Sequence, residues 1–168
     1  MRHHQGYTLT ELLVASAVSA MALSALIALY LNGKAALRMS VTQTWAQQRA
    51  LSALHTVAER TRPASRFEVY PGYAQSFVST SQVAAGRCVN LYGAGWTSKF
   101  HVAGGCLWHN TVAGLASSNS LAASVGPATV FSAGYQRLHM TLILVDPADT
   151  NRELVRMHSS FMTRNSGI

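Results

Sequence analysis

The chain has 168 residues, with 13 Lys and Arg against 6 Asp and Glu, for a formal net charge of +7. Charged residues make up 11% and hydrophobic residues 49%. That excludes a disordered tail, which needs high charge and low hydrophobicity. It also argues against an ordinary cytosolic enzyme, where about a quarter of residues are charged. The length suits one domain, or one domain with an appendage.

The apolar excess lies at the N-terminus. Residues 12–33 carry no charge, and between 12 and 31 the only polar side chains are Ser16, Ser19, Ser24 and the phenol of Tyr30. As a helix these 22 residues would span about 33 Å, enough for the hydrocarbon core of a bilayer. Ala15, Ser16, Ala17, Ser19 and Ala20 would allow close approach of a second helix. A secretory signal peptide is the plain alternative, but its apolar run is shorter. Moreover, Glu11 stands directly against the apolar run. A carboxylate at the edge of hydrocarbon is costly and marks function, and a signal peptide has no use for one.

The residues around it read Gly6-Tyr7-Thr8-Leu9-Thr10-Glu11-Leu12-Leu13. This closely resembles the class III signal of type IV prepilins and type II secretion pseudopilins. In that family a short polar leader ends in Gly and is followed by an aromatic residue, usually Phe, then Thr-Leu-x-Glu-Leu and about 20 apolar residues. The resemblance covers roughly the first 30 residues, and Tyr7 in place of Phe is a mild departure. It implies that a prepilin peptidase cuts after Gly6 and that Tyr7 becomes the methylated N-terminus. It implies that the Glu11 carboxylate of one subunit pairs with the Tyr7 amine of its neighbour during assembly. It implies as partners other pilin or pseudopilin subunits and an inner-membrane assembly platform. The location implied is the bacterial inner membrane, single-pass, with the N-terminus cytoplasmic and the head periplasmic, and afterwards the pilus or pseudopilus. The charge bias across the span is weak, with Arg2 inside and Lys34 and Arg38 outside, so orientation follows from the motif.

Beyond the span, strong helix formers continue to Arg62, and Pro63 stops the helix. One helix over 8–62 is predicted. Leu51, Leu54, Val57 and Ala58 form one apolar stripe; Leu37, Val41 and Trp45 form a second. Either the first faces the head and the second faces neighbouring helices, or both bury in one head. Gly33 is the candidate for local unwinding in a filament. The chain therefore divides into a leader at 1–6, a membrane half of the helix at 7–33, a periplasmic half at 34–62 and a β-rich head at 63–168.

In the head, Phe67-Glu68-Val69-Tyr70, 88–92, 100–102 and Cys106-Leu107-Trp108 are predicted strands, and Gly93-Ala94-Gly95 is a turn. Residues 113–126, rich in Ser and Ala, read as loop. The strongest β signal is a hairpin of 135–145 and 152–162 around Asp146-Pro147-Ala148-Asp149. The fold class is α+β: a pilin-like long N-terminal helix packed on a small antiparallel sheet.

Cys88 and Cys106 are the only cysteines. Behind a membrane signal the head faces an oxidising compartment, so a disulfide is the default. Zinc held by Cys88, His101, Cys106 and His109 is the alternative. Arg60, Arg62 and Arg66, with Arg87, form a basic patch. It is either a solvated face meeting acidic neighbours or, with Phe67, Tyr70 and Tyr73 for stacking, a DNA-binding surface. No nucleophile elbow, phosphate-cradling loop or paired carboxylates occur, so neither enzyme activity nor a cofactor is expected. The reading is a structural, minor subunit of a type IV pilus or type II secretion pseudopilus. The alternatives are a pilin-like module with a basic head for DNA or a surface, and a signal-anchored periplasmic protein that does not polymerise.

Overall fold

The computed structural model describes residues 8–73, 82–111 and 118–163. The chain divides into two compact units, Met1–Thr42 and Gln43–Ile168. One helix, α1, covers Leu9–Thr61, within one residue of the prediction at each end. It begins after Thr8 and ends where Pro63 follows. Arg62 N–H still bonds to Ala58 O at 3.0 Å, and Ala64 N–H closes a turn onto Thr61 O at 3.1 Å.

In the first unit α1 is exposed all round and is long and apolar enough to cross a membrane. An all-round apolar helix is stable where lipid or protein replaces water. Two of its serine hydroxyls are satisfied within the helix. Ser16 Oγ donates to Leu13 O at 2.8 Å, and Ser24 Oγ donates to Met21 O at 2.8 Å. That removes two unsatisfied donors from a medium with nothing to accept them.

In the second unit α1 buries Ala46, Ala50, Ala53, Leu54, Val57 and Thr61, spaced three and four apart. Small residues let the sheets approach the helix closely. Thr61 turns its hydroxyl back to Val57 O at 2.7 Å, which keeps a polar group satisfied in the core. Leu51 was expected on this face but is 58% exposed. The stripe that buries runs through the alanines instead. Leu37, Val41 and Trp45 are exposed too.

The head contains two antiparallel sheets where one was expected. The first has five strands: β1 (Arg66–Tyr70), β3 (Cys88–Gly93), β4 (Trp96–Ala103), β5 (Cys106–Thr111) and β6 (Ser118–Ala123), in the order β1-β3-β4-β5-β6. The second has four: β2 (Ala85–Gly86), β7 (Val130–Gly134), β8 (Arg137–Val145) and β9 (Glu153–Met162), in that order. Val69, Val89, Leu91, Phe100 and Leu107 of the first meet Phe131, Leu138, Met140, Leu142 and Phe161 of the second in one core with the α1 residues. Ser65 ties the helix exit to β3, its N–H donating to Tyr92 O at 2.7 Å and its Oγ at 2.9 Å. Thr129 laces the segment after β6 to β8, receiving Ile143 N–H at 3.0 Å and donating to Ile143 O at 3.2 Å.

Two strand expectations need correction. The segment expected as loop at 113–126 contains β6. A chain of Ser, Asn and Ala has little intrinsic β preference, but pairing with β5 supplies its backbone partners. The strand expected at 135–145 begins only at Arg137. Tyr135 and Gln136 form the turn of the β7–β8 hairpin, with Gln136 at φ 55° and Gly134 opposite Arg137.

The expected disulfide is also corrected: Cys88 and Cys106 are not bridged. Cys88 lies opposite His101 on β4, and His101 lies opposite Trp108 on β5. The two cysteines thus sit on strands with β4 between them, roughly 9.5 Å apart across the sheet before any offset. A disulfide needs Cα atoms within about 7 Å. The purified full chain should therefore label at Cys106, which is half-buried, without prior reduction. Reduction should leave its Tm unchanged; a Tm that drops on reduction contradicts this register.

Candidate functional site

The motif meets the helix at Thr8. Its N–H donates to Glu11 Oε2 at 2.9 Å, and its hydroxyl donates to the same oxygen at 3.0 Å. Glu11 N–H lies 3.4 Å from Thr8 Oγ1, and Leu12 N–H bonds to Thr8 O at 3.2 Å. This is a capping box: a Thr at the helix N-cap and a Glu three residues on satisfy each other's orphan backbone donors. The signal was present in the sequence as Thr8-Leu9-Thr10-Glu11. It is easily overlooked, because the assembly motif accounts for the same Glu. Both bonds to the carboxylate land on Oε2, and among the described residues Oε1 of this exposed side chain takes no part in the cap. Gly6 and Tyr7 lie outside the described residues.

The basic patch does not assemble as expected. Arg66 is opposite Tyr92, and Tyr70 is opposite Cys88. Arg87 therefore stands beyond the far end of the β1–β3 pair from Arg66, about 17 Å away along the strands. Arg87 is half-buried, and its Nε makes no hydrogen bond among the described residues. Arg66 is engaged, with its guanidinium 4.5 Å over the Tyr92 ring and 3.7 Å from Glu68. Arg60 and Arg62 are exposed at the end of α1.

The aromatic residues suggested for stacking are already occupied. Tyr70 is buried and donates to Glu68 Oε2 at 2.8 Å. Tyr92 donates to the same oxygen at 2.6 Å. Burial, with the Glu68 carboxylate beside them, pushes both phenols above their ordinary pKa. Phe67 packs against the core, and Tyr73 is stacked 4.1 Å from His101.

The zinc alternative also separates. His109 pairs with Phe100 and shares its face of the first sheet, whereas His101 pairs with Cys88 on the other face. Among the described residues no group of three His, Cys, Asp or Glu side chains converges to hold a metal.

Sequence reasoning missed a buried pair. Ser98 Oγ and His109 Nε2 lie 2.6 Å apart, and the His109 ring stacks 4.5 Å from Phe100. Burial pushes His109 below the ordinary 6.5, and the Arg60 charge adds to it. Burial lowers His101 as well, with help from Lys99. A histidine with a depressed folded pKa binds fewer protons than the unfolded chain, so stability rises with pH through that interval. Stability should be full above about pH 6.5 and fall as the pH is lowered through the folded pKa values. The Tm of the head transition should drop between pH 7.5 and pH 5, and His109→Gln should flatten part of that slope. A Tm that rises on acidification contradicts the assignment.

We found no match among curated proteins or among solved structures. The family described as the prokaryotic N-terminal methylation motif matches residues 1–27. That span holds Gly6, Tyr7 and the Thr8–Glu11 capping box, and α1 runs on behind it without a break. The methylation motif and the long apolar helix together support placing the chain in the type IV pilin and pseudopilin family.

Proposed function

We propose that the protein is a structural, minor subunit of a type IV pilus or type II secretion pseudopilus. In this reading prepilin peptidase cleaves after Gly6 and methylates the new amine of Tyr7. Residues 7–33 then hold the protein in the bacterial inner membrane, with the head periplasmic. The assembly platform and other pilin or pseudopilin subunits receive it through α1.

The observation that carries the reading is Glu11, a carboxylate at the mouth of an apolar helix with only one oxygen used for capping. The second oxygen suits a neighbouring subunit's Tyr7 ammonium. Two charges that are each costly in hydrocarbon become tolerable as a pair, and removing one strands the other. The exposed Leu37, Val41 and Trp45 stripe supports the same reading, as a face for neighbouring helices.

The test is the mass of the mature protein from membranes. A chain beginning at Tyr7 and carrying one methyl group is the expected result, and a bulky residue at Gly6 should leave the full-length form. A mature chain starting beyond Ala20, as a conventional signal peptidase would leave it, overturns the reading.

A further inference from the structure

The last turn of α1 and the β3–β4 hairpin border a cavity of about 410 Å³. Its wall contains a cation, Arg60, the rings of Tyr92 and Trp96, and the hydroxyls of Thr97, Ser98 and Thr111. The wall is built rather than incidental. Trp96 lies across Gly93, where a Cβ would overlap the indole, so only glycine leaves room for the ring. Ser98 is 1% exposed and held by its 2.6 Å contact with His109. Arg60 makes no ion pair among the described residues, unlike Arg66, Arg152 and Arg156.

Among the described residues every acidic side chain already has another partner. Glu11 bonds Thr8, Glu59 meets His55 at 3.1 Å, and Glu68 serves Arg66, Tyr70 and Tyr92. Asp146 and Asp149 cap the β8–β9 turn, and Glu153 holds Arg156 at 2.6 Å. These are all 6 acidic residues. A carboxylate from a second copy would come from a side chain that already has a partner within its own chain. A net charge of +7 also favours acidic partners at a distance.

We propose that this pocket receives an acidic side chain presented by a different protein. The carboxylate would sit on the Arg60 guanidinium and the threonine hydroxyls, and its methylenes would lie against the Trp96 ring. Charge-assisted hydrogen bonds of this kind are roughly twice as strong as neutral ones and give the site its preference for Glu or Asp over their amides. The inference does not rest on the assembly role of Glu11 and can fail separately from it.

The test uses the full chain in detergent micelles and follows the indole N–H signals of its 3 tryptophans, with Trp96 assigned by Trp96→Phe. The probes are acetyl-Gly-Glu-Gly-amide, the same peptide with Gln, and free glutarate. The Glu peptide should shift the Trp96 signal saturably and leave Trp45 and Trp108 in place. The Gln peptide should bind at least about tenfold more weakly, and Arg60→Gln should cost the Glu peptide a similar factor, while Arg60→Lys keeps part of the affinity. By linkage, the bound carboxylate should raise the His109 titration midpoint by screening Arg60. Equal binding of the Glu and Gln peptides, or indifference to Arg60→Gln, overturns the proposal. Glutarate binding as tightly as the peptide also overturns it, since the site would then serve a free acid.

Discussion

A Glu11→Ala protein should insert, be cleaved and fold its head normally, and yet be depleted in filaments at least about tenfold relative to its membrane pool. The head core contains nothing from the first turn of α1, so head stability is untouched. What the variant loses is the counter-ion for a neighbouring subunit's Tyr7 amine. The capping box complicates the interpretation of alanine alone, since Ala also removes the acceptor for Thr8 N–H. Glu11→Gln separates the two effects. Glutamine at the third helical position still serves a capping box, but it carries no charge. If charge pairing recruits the subunit, the Gln variant should assemble almost as poorly as the Ala variant. Filament purification with quantitation of incorporated against membrane-bound subunit reads this directly. Recovery of wild-type incorporation by Gln would assign the effect to capping, and recovery by Ala would assign recruitment to apolar helix packing.

Phe100→Ala should cost the head about 3–5 kcal/mol, a large share of a domain stability on the order of 5–15 kcal/mol. Phe100 is fully buried at the middle of β4, the central strand of the first sheet. It is opposite Val89 on β3 and His109 on β5. Its ring is stacked on the His109 ring with 14° between planes, so truncation opens a cavity and removes a stacking partner at once. Denaturant unfolding of the head, followed by near-ultraviolet circular dichroism, should show the midpoint fall sharply. Far-ultraviolet signal from the first unit's helix should survive in detergent, because residues 9–42 make no part of that core. A loss below about 1 kcal/mol would mean that the core collapses to fill the space.

The two expected losses fall in different places. The Glu11 variants should fail in assembly with an intact head, and Phe100→Ala should fail in the head with an intact motif. A filament defect in Glu11→Gln together with a normal head midpoint would locate the charge effect outside folding.

Features that depend on near neighbours were legible in the residues themselves. The helix bounds followed from uninterrupted helix formers and from Pro63, because helical hydrogen bonds close over four residues and a proline stops them locally. The processing motif is contiguous, and the capping box was present in it as Thr-x-x-Glu. The β8–β9 hairpin was visible because its turn, Asp146 to Asp149, lies between two β-rich runs. Pairing between distant segments was decided only by the tertiary structure. The strand character of β6 comes from β5 rather than from its own Ser and Ala, and β2 exists only against β7. Interposing β4 between β3 and β5 separates Cys88 from Cys106, and the β1–β3 register moves Arg87 away from Arg66. The Arg60 pocket has the same origin. Its walls come from the helix end and from a hairpin more than thirty residues later. Strand preference is set by the neighbour a strand finds, and that neighbour is chosen by the whole core.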